Sequence, residues 1–237
     1  MLVKTKAIVI SSLRYQEKSL IVKCFTESDG LKSYFIRDAF STRKNSQKIA
    51  FFQPLNILEI EAAHKNKGSL EYFKEVKMAH PYYTVNTDIT KTTIAIFLSE
   101  ILHHCIREEE KNESLYHFLE TALLWFDNHD EVANFHLILM MEITKFLGFF
   151  PERPQNENDF FEMTEGVFTP YQSISCLSVE ETNLFKRLMQ LKLDNSIKSF
   201  HVSERQALLK ILLDYYAFHL DGFKRPKSLD VLKEIFS

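Results

Sequence analysis

Glycine is scarce, with five in 237 residues, at positions 30, 68, 148, 166 and 222. Neither a P-loop nor a GxGxxG turn can be written at that spacing, since both need grouped glycines to bring backbone N–H groups onto phosphates. Nucleotide hydrolysis of the P-loop kind is excluded. Cysteine is sparse as well: Cys24, Cys105 and Cys176 are odd in number, widely spaced and without a CxxC. A reduced, cytosolic chain is expected, and a zinc ribbon is excluded. HExxH and G-x-S-x-G are also missing, which removes the commonest zinc-peptidase and hydrolase readings. No stretch approaches the roughly 18 apolar residues of a membrane span, and the N-terminal MLVKTKAIVISSLRYQEK breaks its apolar run too early for a signal peptide. No membrane is expected as a partner.

Acidic residues are missing from one place in particular. From Ala39 to Leu58 there is no Asp or Glu, although Arg43, Lys44 and Lys48 fall in that stretch and Arg37 just before it. A solvated loop would tolerate such a cluster, but an unpaired cluster of four cations at a barrel hairpin has a physical motive if phosphates are the missing partners. The asymmetry extends further. Residues 1–80 carry 14 Lys and Arg against 8 Asp and Glu, a balance of +6, and the remainder carries 15 against 24, a balance of −9. A polyanion partner is therefore expected at the N-terminal part.

What is present is a large apolar inventory, 45% hydrophobic and 13% aromatic with 21 Phe, enough for a sizeable core. Up to His80 the period is two. KAIVISSL, SLIVKCFT, LKSYFIRD and PLNILEIE read as strands bounded by turn signals, the last continuing a run that resumes at Ile49 after the basic loop. Leu70, Tyr72, Val76 and Met78 alternate with Glu71, Glu75 and Lys77, which predicts a fifth strand with those four apolar residues inward. Five short strands fit a small closed barrel of the OB-fold or SH3-like kind. The basic loop then forms a hairpin, with Phe40 at its base placed to stack on a nucleobase.

After Pro81 the period becomes 3.6. Ile94 to Cys105 and Leu115 to Phe126 form two amphipathic stripes, and Val132 to Leu147 is apolar nearly all round, as suits a central helix ended by Gly148. Residues 151–177 read as an irregular excursion with a hairpin near Gly166. Ser178 with Glu181 and Ser203 with Gln206 resemble capping boxes of two more helices, and a short one follows from Leu229 to Phe236. The expectation is an α+β chain, an N-terminal five-stranded OB-fold over 1–80 and a helical bundle over 81–237. Met140 and Met141 could adapt to a peptide, but their wholly apolar surroundings favour core. His103, His104 and Cys105 point about a hundred degrees apart on a helix and cannot chelate one ion alone.

The order of these features resembles the RecO family of bacterial recombination mediators. Arg14, Glu17, Ser19, Phe25, Thr26 and Gly30 carry the first part of the likeness. Gln53-Pro54, Ser99 to Leu102, Leu147-Gly148-Phe149 and KSLDVLKEIF continue it. The resemblance implies an OB-fold joined to a helical domain, with no active site and no cofactor. It also implies binding of single- and double-stranded DNA, annealing of complementary strands, and two protein partners: RecR and the acidic C-terminal tail of the single-stranded-DNA-binding protein. Arg37, Arg43, Lys44 and Lys48 fall where the family carries DNA-binding cations, in a cytoplasmic protein associated with the nucleoid during repair. Two features depart from the family. Residues 151–177 hold Cys176 alone instead of four zinc cysteines, so no zinc and an altered hairpin are expected, and Phe135 to Ile138 lacks the arginine that would mark a tail pocket. An RNA-binding or scaffold module, or a metal-dependent hydrolase using His80, His103 or His104, are the alternative functions.

Overall fold

The computed structural model describes residues 2–41, 48–65, 70–107, 111–154, 159–195 and 199–236. They form two compact units, Met1–His129 with Pro226–Ser228, and Asp130–Arg225 with Leu229–Ser237.

The first unit is built on five antiparallel strands, β1 Leu2–Tyr15, β2 Ser19–Thr26, β3 Gly30–Ile36, β4 Ile57–Ala63 and β5 Tyr72–His80. Their order in the sheet is β3-β2-β1-β4-β5. The sheet curls until β3 reaches the residue preceding β5, where Phe35 N–H donates to Glu71 O at 2.9 Å and Glu71 N–H to Ser33 O at 2.8 Å. Among the described residues the two edges are joined by a single parallel bridge, Tyr34 to Glu71. The fold is an OB-fold whose sheet stops short of the closed barrel expected from strand count.

Inside it, Ala7, Val9, Leu20, Val22, Cys24, Tyr34, Leu58, Ile60 and Ala62 form one core, each the inward half of an alternating strand. Ile8, Ile10, Phe25 and Ile57 are buried on the opposite face. There lie the helices of this unit, α1 Ile89–Cys105 and α2 Glu113–Asn128, with Phe25 6.0 Å from Tyr116. Asp127 at the end of α2 accepts from the N–H groups of Tyr83, Thr84 and Val85 at 2.9, 2.8 and 3.1 Å. This clamp fixes the segment leading from β5 into α1. Burial opposes its charge, but the three backbone donors prevail and hold the carboxyl below its ordinary range.

Two strand expectations are corrected by the backbone. The run from Ile49 is a 3-10 turn, Ile49–Phe52, and not a strand. Pro54 lacks an N–H for a ladder, Leu55 sits at φ 63°, and Asn56 Nδ2 donates to Ala50 O and Phe51 O at 3.1 Å each. Consequently β3 and β4 are not a hairpin: β2 and β1 lie between them. In β5 the register shifts between Glu61 and Ala62, so Glu71 and Phe73 turn inward while Leu70 and Tyr72 face solvent. Simple alternation would have buried the latter pair.

The second unit packs α3 Phe135–Leu147, α4 Val179–Gln190, α5 Val202–His219 and α6 Leu229–Ile235, with a small hairpin of β6 Phe160–Glu162 and β7 Val167–Thr169. Helix α3 is buried without a break from Phe135 to Met141, as its apolar sequence requires, so Met140 and Met141 are core. Gly148 ends it at φ 82°, a left-handed C-cap. The capping box at Ser178 and Glu181 is present. The one expected at Ser203 is displaced: α5 begins two residues earlier, where Glu204 accepts from His201 N–H at 2.8 Å. Tyr216 donates to Met140 O at 2.6 Å and Phe236 stacks on His136 at 5.4 Å, tying α5 and the C-terminal segment to α3.

Candidate nucleic-acid interface

Strand β3 alternates between Tyr34, sealed in the core, and Phe35, turned outward. The outward parity continues to Arg37, which is exposed. Past it, Asp38 at φ 52° ends the strand, and Ser41 Oγ donates to Asp38 O at 2.8 Å. Phe40 N–H then donates to Lys18 O at 3.2 Å, docking the start of the loop on the β1–β2 turn. On the other side of the loop, the 3-10 turn pins Phe52 into the core and leaves Lys48 exposed at its N-cap. The start of β5 supplies Tyr72 outward and Phe73 inward, the latter stacked on Tyr34 at 4.0 Å.

These three pieces enclose a groove of 550 Å³, lined by Phe35, Arg37, Lys48, Phe51, Tyr72, Phe73, Lys74 and Glu75 among others. Its charge is mostly positive, and half of its charged side chains are committed to ion pairs. Lys74 is held by Glu61, whose carboxyl is driven below its ordinary range chiefly by that bond, and Glu75 binds Lys77 at 2.9 Å. Arg37 and Lys48 meet no carboxylate among the described residues. Arg43 and Lys44, expected in the same cluster, lie outside the described residues.

Phe40 is placed differently from the stacking role expected of it. It packs against the barrel core, and the Arg14 guanidinium lies 4.7 Å from its ring centroid. Arg14 is itself fixed by donating to Glu17 O at 2.7 Å through Nη2 and at 3.2 Å through Nε. The open aromatics are elsewhere. Tyr15, Phe35 and Tyr72 form a row on the outer face, in edge-to-face contacts of 6.1 and 6.2 Å. Tyr15 and Tyr72 are 44% and 49% exposed. The parity of Phe35 with Arg37 is legible in sequence, whereas Tyr72 depends on the β5 register shift.

Comparison with known sequences decides the lineage. Residues 1–82 match the family model described as Recombination protein O N terminal, and residues 86–230 match Recombination protein O C terminal. The chain belongs to the RecO family. Proteins named DNA repair protein RecO from Flavobacterium psychrophilum and Flavobacterium johnsoniae are each 67% identical to it, with all of both chains covered. One of the same name from Christiangramia forsetii is 41% identical, again over the whole of both chains.

Against this RecO-family background the other candidate centres lie apart from the groove's chemistry. His80 sits 3.6 Å from Glu120 Oε1, which also takes Lys6 Nζ at 2.8 Å. His103 and His104 meet edge to face at 5.5 Å, and burial, with Lys23 nearby, lowers the pKa of His103. Cys105 is buried and its thiol is pushed up. Among the described residues no group of three His, Cys, Asp or Glu side chains is arranged to hold a metal ion. No helix among them is long and apolar enough to cross a membrane.

Proposed function

We propose that this chain is a non-catalytic DNA repair and recombination protein that holds DNA at the groove between β3, the 3-10 turn and β5. The observation that carries this reading is the pair Arg37 and Lys48, exposed at an aromatic-lined groove and facing no carboxylate among the described residues. Cations there neutralise phosphates and release counterions, giving affinity without sequence preference. Arg43 and Lys44 extend the same cluster along the chain. The name carried by the relatives, DNA repair protein RecO, supports the repair role.

Two strands neutralised at one surface can approach and pair, with base pairing itself supplying fidelity. The protein thereby anneals complementary strands and assists RecA onto strands covered by single-stranded-DNA-binding protein. Residues 1–80 hold DNA, and the chain engages RecR and the acidic tail of the covering protein, in the cytoplasm. No step of this activity requires a metal or cofactor.

Annealing of oligonucleotides precoated with single-stranded-DNA-binding protein, with and without its acidic tail, tests the reading. Wild type should anneal coated strands, and loss of the tail should slow it. Arg43→Glu with Lys44→Glu should lower single-strand affinity and its salt slope; unchanged values would remove the loop from the site. Direct competition by single-stranded RNA separates this function from an RNA-binding module: RNA displacing DNA at equal concentration would favour the latter.

A further inference from the structure

The aromatic row beside the cations has chemistry that phosphate neutralisation does not use. Tyr15 at the end of β1, Phe35 on β3 and Tyr72 at the start of β5 are brought together by the curl of the sheet, though 57 residues separate the first and last in the chain. Leu13, 65% exposed, and Leu70 are exposed apolar side chains on the same strand and the same chain segment respectively. Such a surface is costly in water and is not covered by any part of the described chain.

Cations flank it on both sides. Arg14 and Lys18 stand at the β1–β2 turn, and Arg37, Lys48 and Lys74 at the groove. Three of the acids nearby are Glu17, Asp38 and Glu75, the last bound to Lys77. An acidic or purely apolar protein segment would satisfy only one half of this surface. A polymer that alternates anionic groups with flat apolar rings satisfies both.

We infer that the row Tyr15, Phe35 and Tyr72 receives unpaired bases, so that this site selects single strands over duplex. The inference rests on the DNA-binding reading above and sharpens it. Duplex DNA presents the same phosphates but keeps its base faces stacked inside the helix, so it can use the cations and not the rings. A single strand lays its bases on the rings while its backbone tracks the cations, and because every base has a π-face the preference is for strandedness rather than sequence. Phe35, partly buried between the two tyrosines, is the anchor of the row. Tyr15 and Tyr72 supply its open surface.

The test measures affinity of the full chain for three probes of equal length at one salt concentration: an oligothymidylate, the corresponding duplex, and a strand of abasic sites. Wild type should bind the oligothymidylate at least about tenfold more tightly than the abasic strand, given the usual contribution of one base–aromatic stack. Equal binding of the two would overturn the inference, and this comparison needs no variant to fold. Tyr15→Ser with Tyr72→Ser should weaken oligothymidylate binding by about tenfold or more and duplex binding by far less. Tyr15→Phe with Tyr72→Phe should restore it. An equal fall for both probes would also overturn the base-reading role. Failure of wild type to bind any of the three probes would instead overturn the DNA-binding reading itself.

Discussion

Gly166 carries the β6–β7 turn at φ 70°, and a Cβ built there would lie 2.5 Å from the Tyr215 hydroxyl. That hydroxyl donates to Phe149 O at 2.7 Å, so it cannot move aside freely. Gly166→Ala should therefore cost about 2–3 kcal/mol, from the left-handed backbone and the overlap together, read by chemical denaturation. Asp127 is a residue whose charge matters to the first unit. With its carboxyl held below the ordinary range, the stabilisation it gives is full at neutral pH and is lost as pH falls through the lowered value. The unfolding free energies of wild type and Asp127→Asn should thus differ most near neutrality and converge below about pH 4. Convergence in the opposite direction would mean that the three N–H bonds do not stabilise the anion. The same scale shows what sequence could and could not deliver. Lys48 was legible from the acid-free stretch around it, but that Phe40 would lie under Arg14 was not, because the contact joins residues of two separate strands' ends.

The 3-10 turn is the element on which the groove depends. It hangs from Asn56, whose amide donates to two carbonyls of the turn while its own backbone carbonyl accepts from Val9 N–H at 2.9 Å. Asn56→Asp preserves shape, removes both donors and sets a carboxylate against two carbonyl oxygens. It should destabilise the protein by about 2 kcal/mol in a denaturant titration, and the looser placement of Lys48 and Phe51 should weaken DNA binding at the same time. Unchanged stability would show that the turn is held by Phe52 packing alone. Strand existence was legible here, since alternation of apolar and polar residues reports a half-buried sheet directly. Strand partners were less so. Alternation is silent about which strand pairs with which, and it cannot anticipate the shift at Glu61 and Ala62 that exchanges Tyr72 for Phe73.

Across the whole molecule the charge of the first 80 residues opposes that of the remainder, +6 against −9. Binding to single strands should accordingly be steeply salt dependent, each engaged phosphate adding about 0.7 to the slope of log affinity against log salt. Arg37→Ser with Lys48→Ser should lower that slope by about 1.4 if both cations meet phosphates. A slope identical to wild type would place the DNA elsewhere on the protein.

By itself the sequence determined the change from period two to period 3.6 near Pro81, the buried helix from Phe135, the excluded nucleotide and zinc motifs, and the family likeness. All of these rest on local pattern or on order along the chain. Only the tertiary structure decided that β3 and β4 stand apart, that Phe73 fills the barrel, and that Tyr15, Phe35 and Tyr72 share one face. The reason is physical: an interface assembled by the curl of a sheet joins residues whose separation in sequence carries no periodic signal. The scarcity of glycine and acid marked where to look, and the barrel determined which side chains meet there.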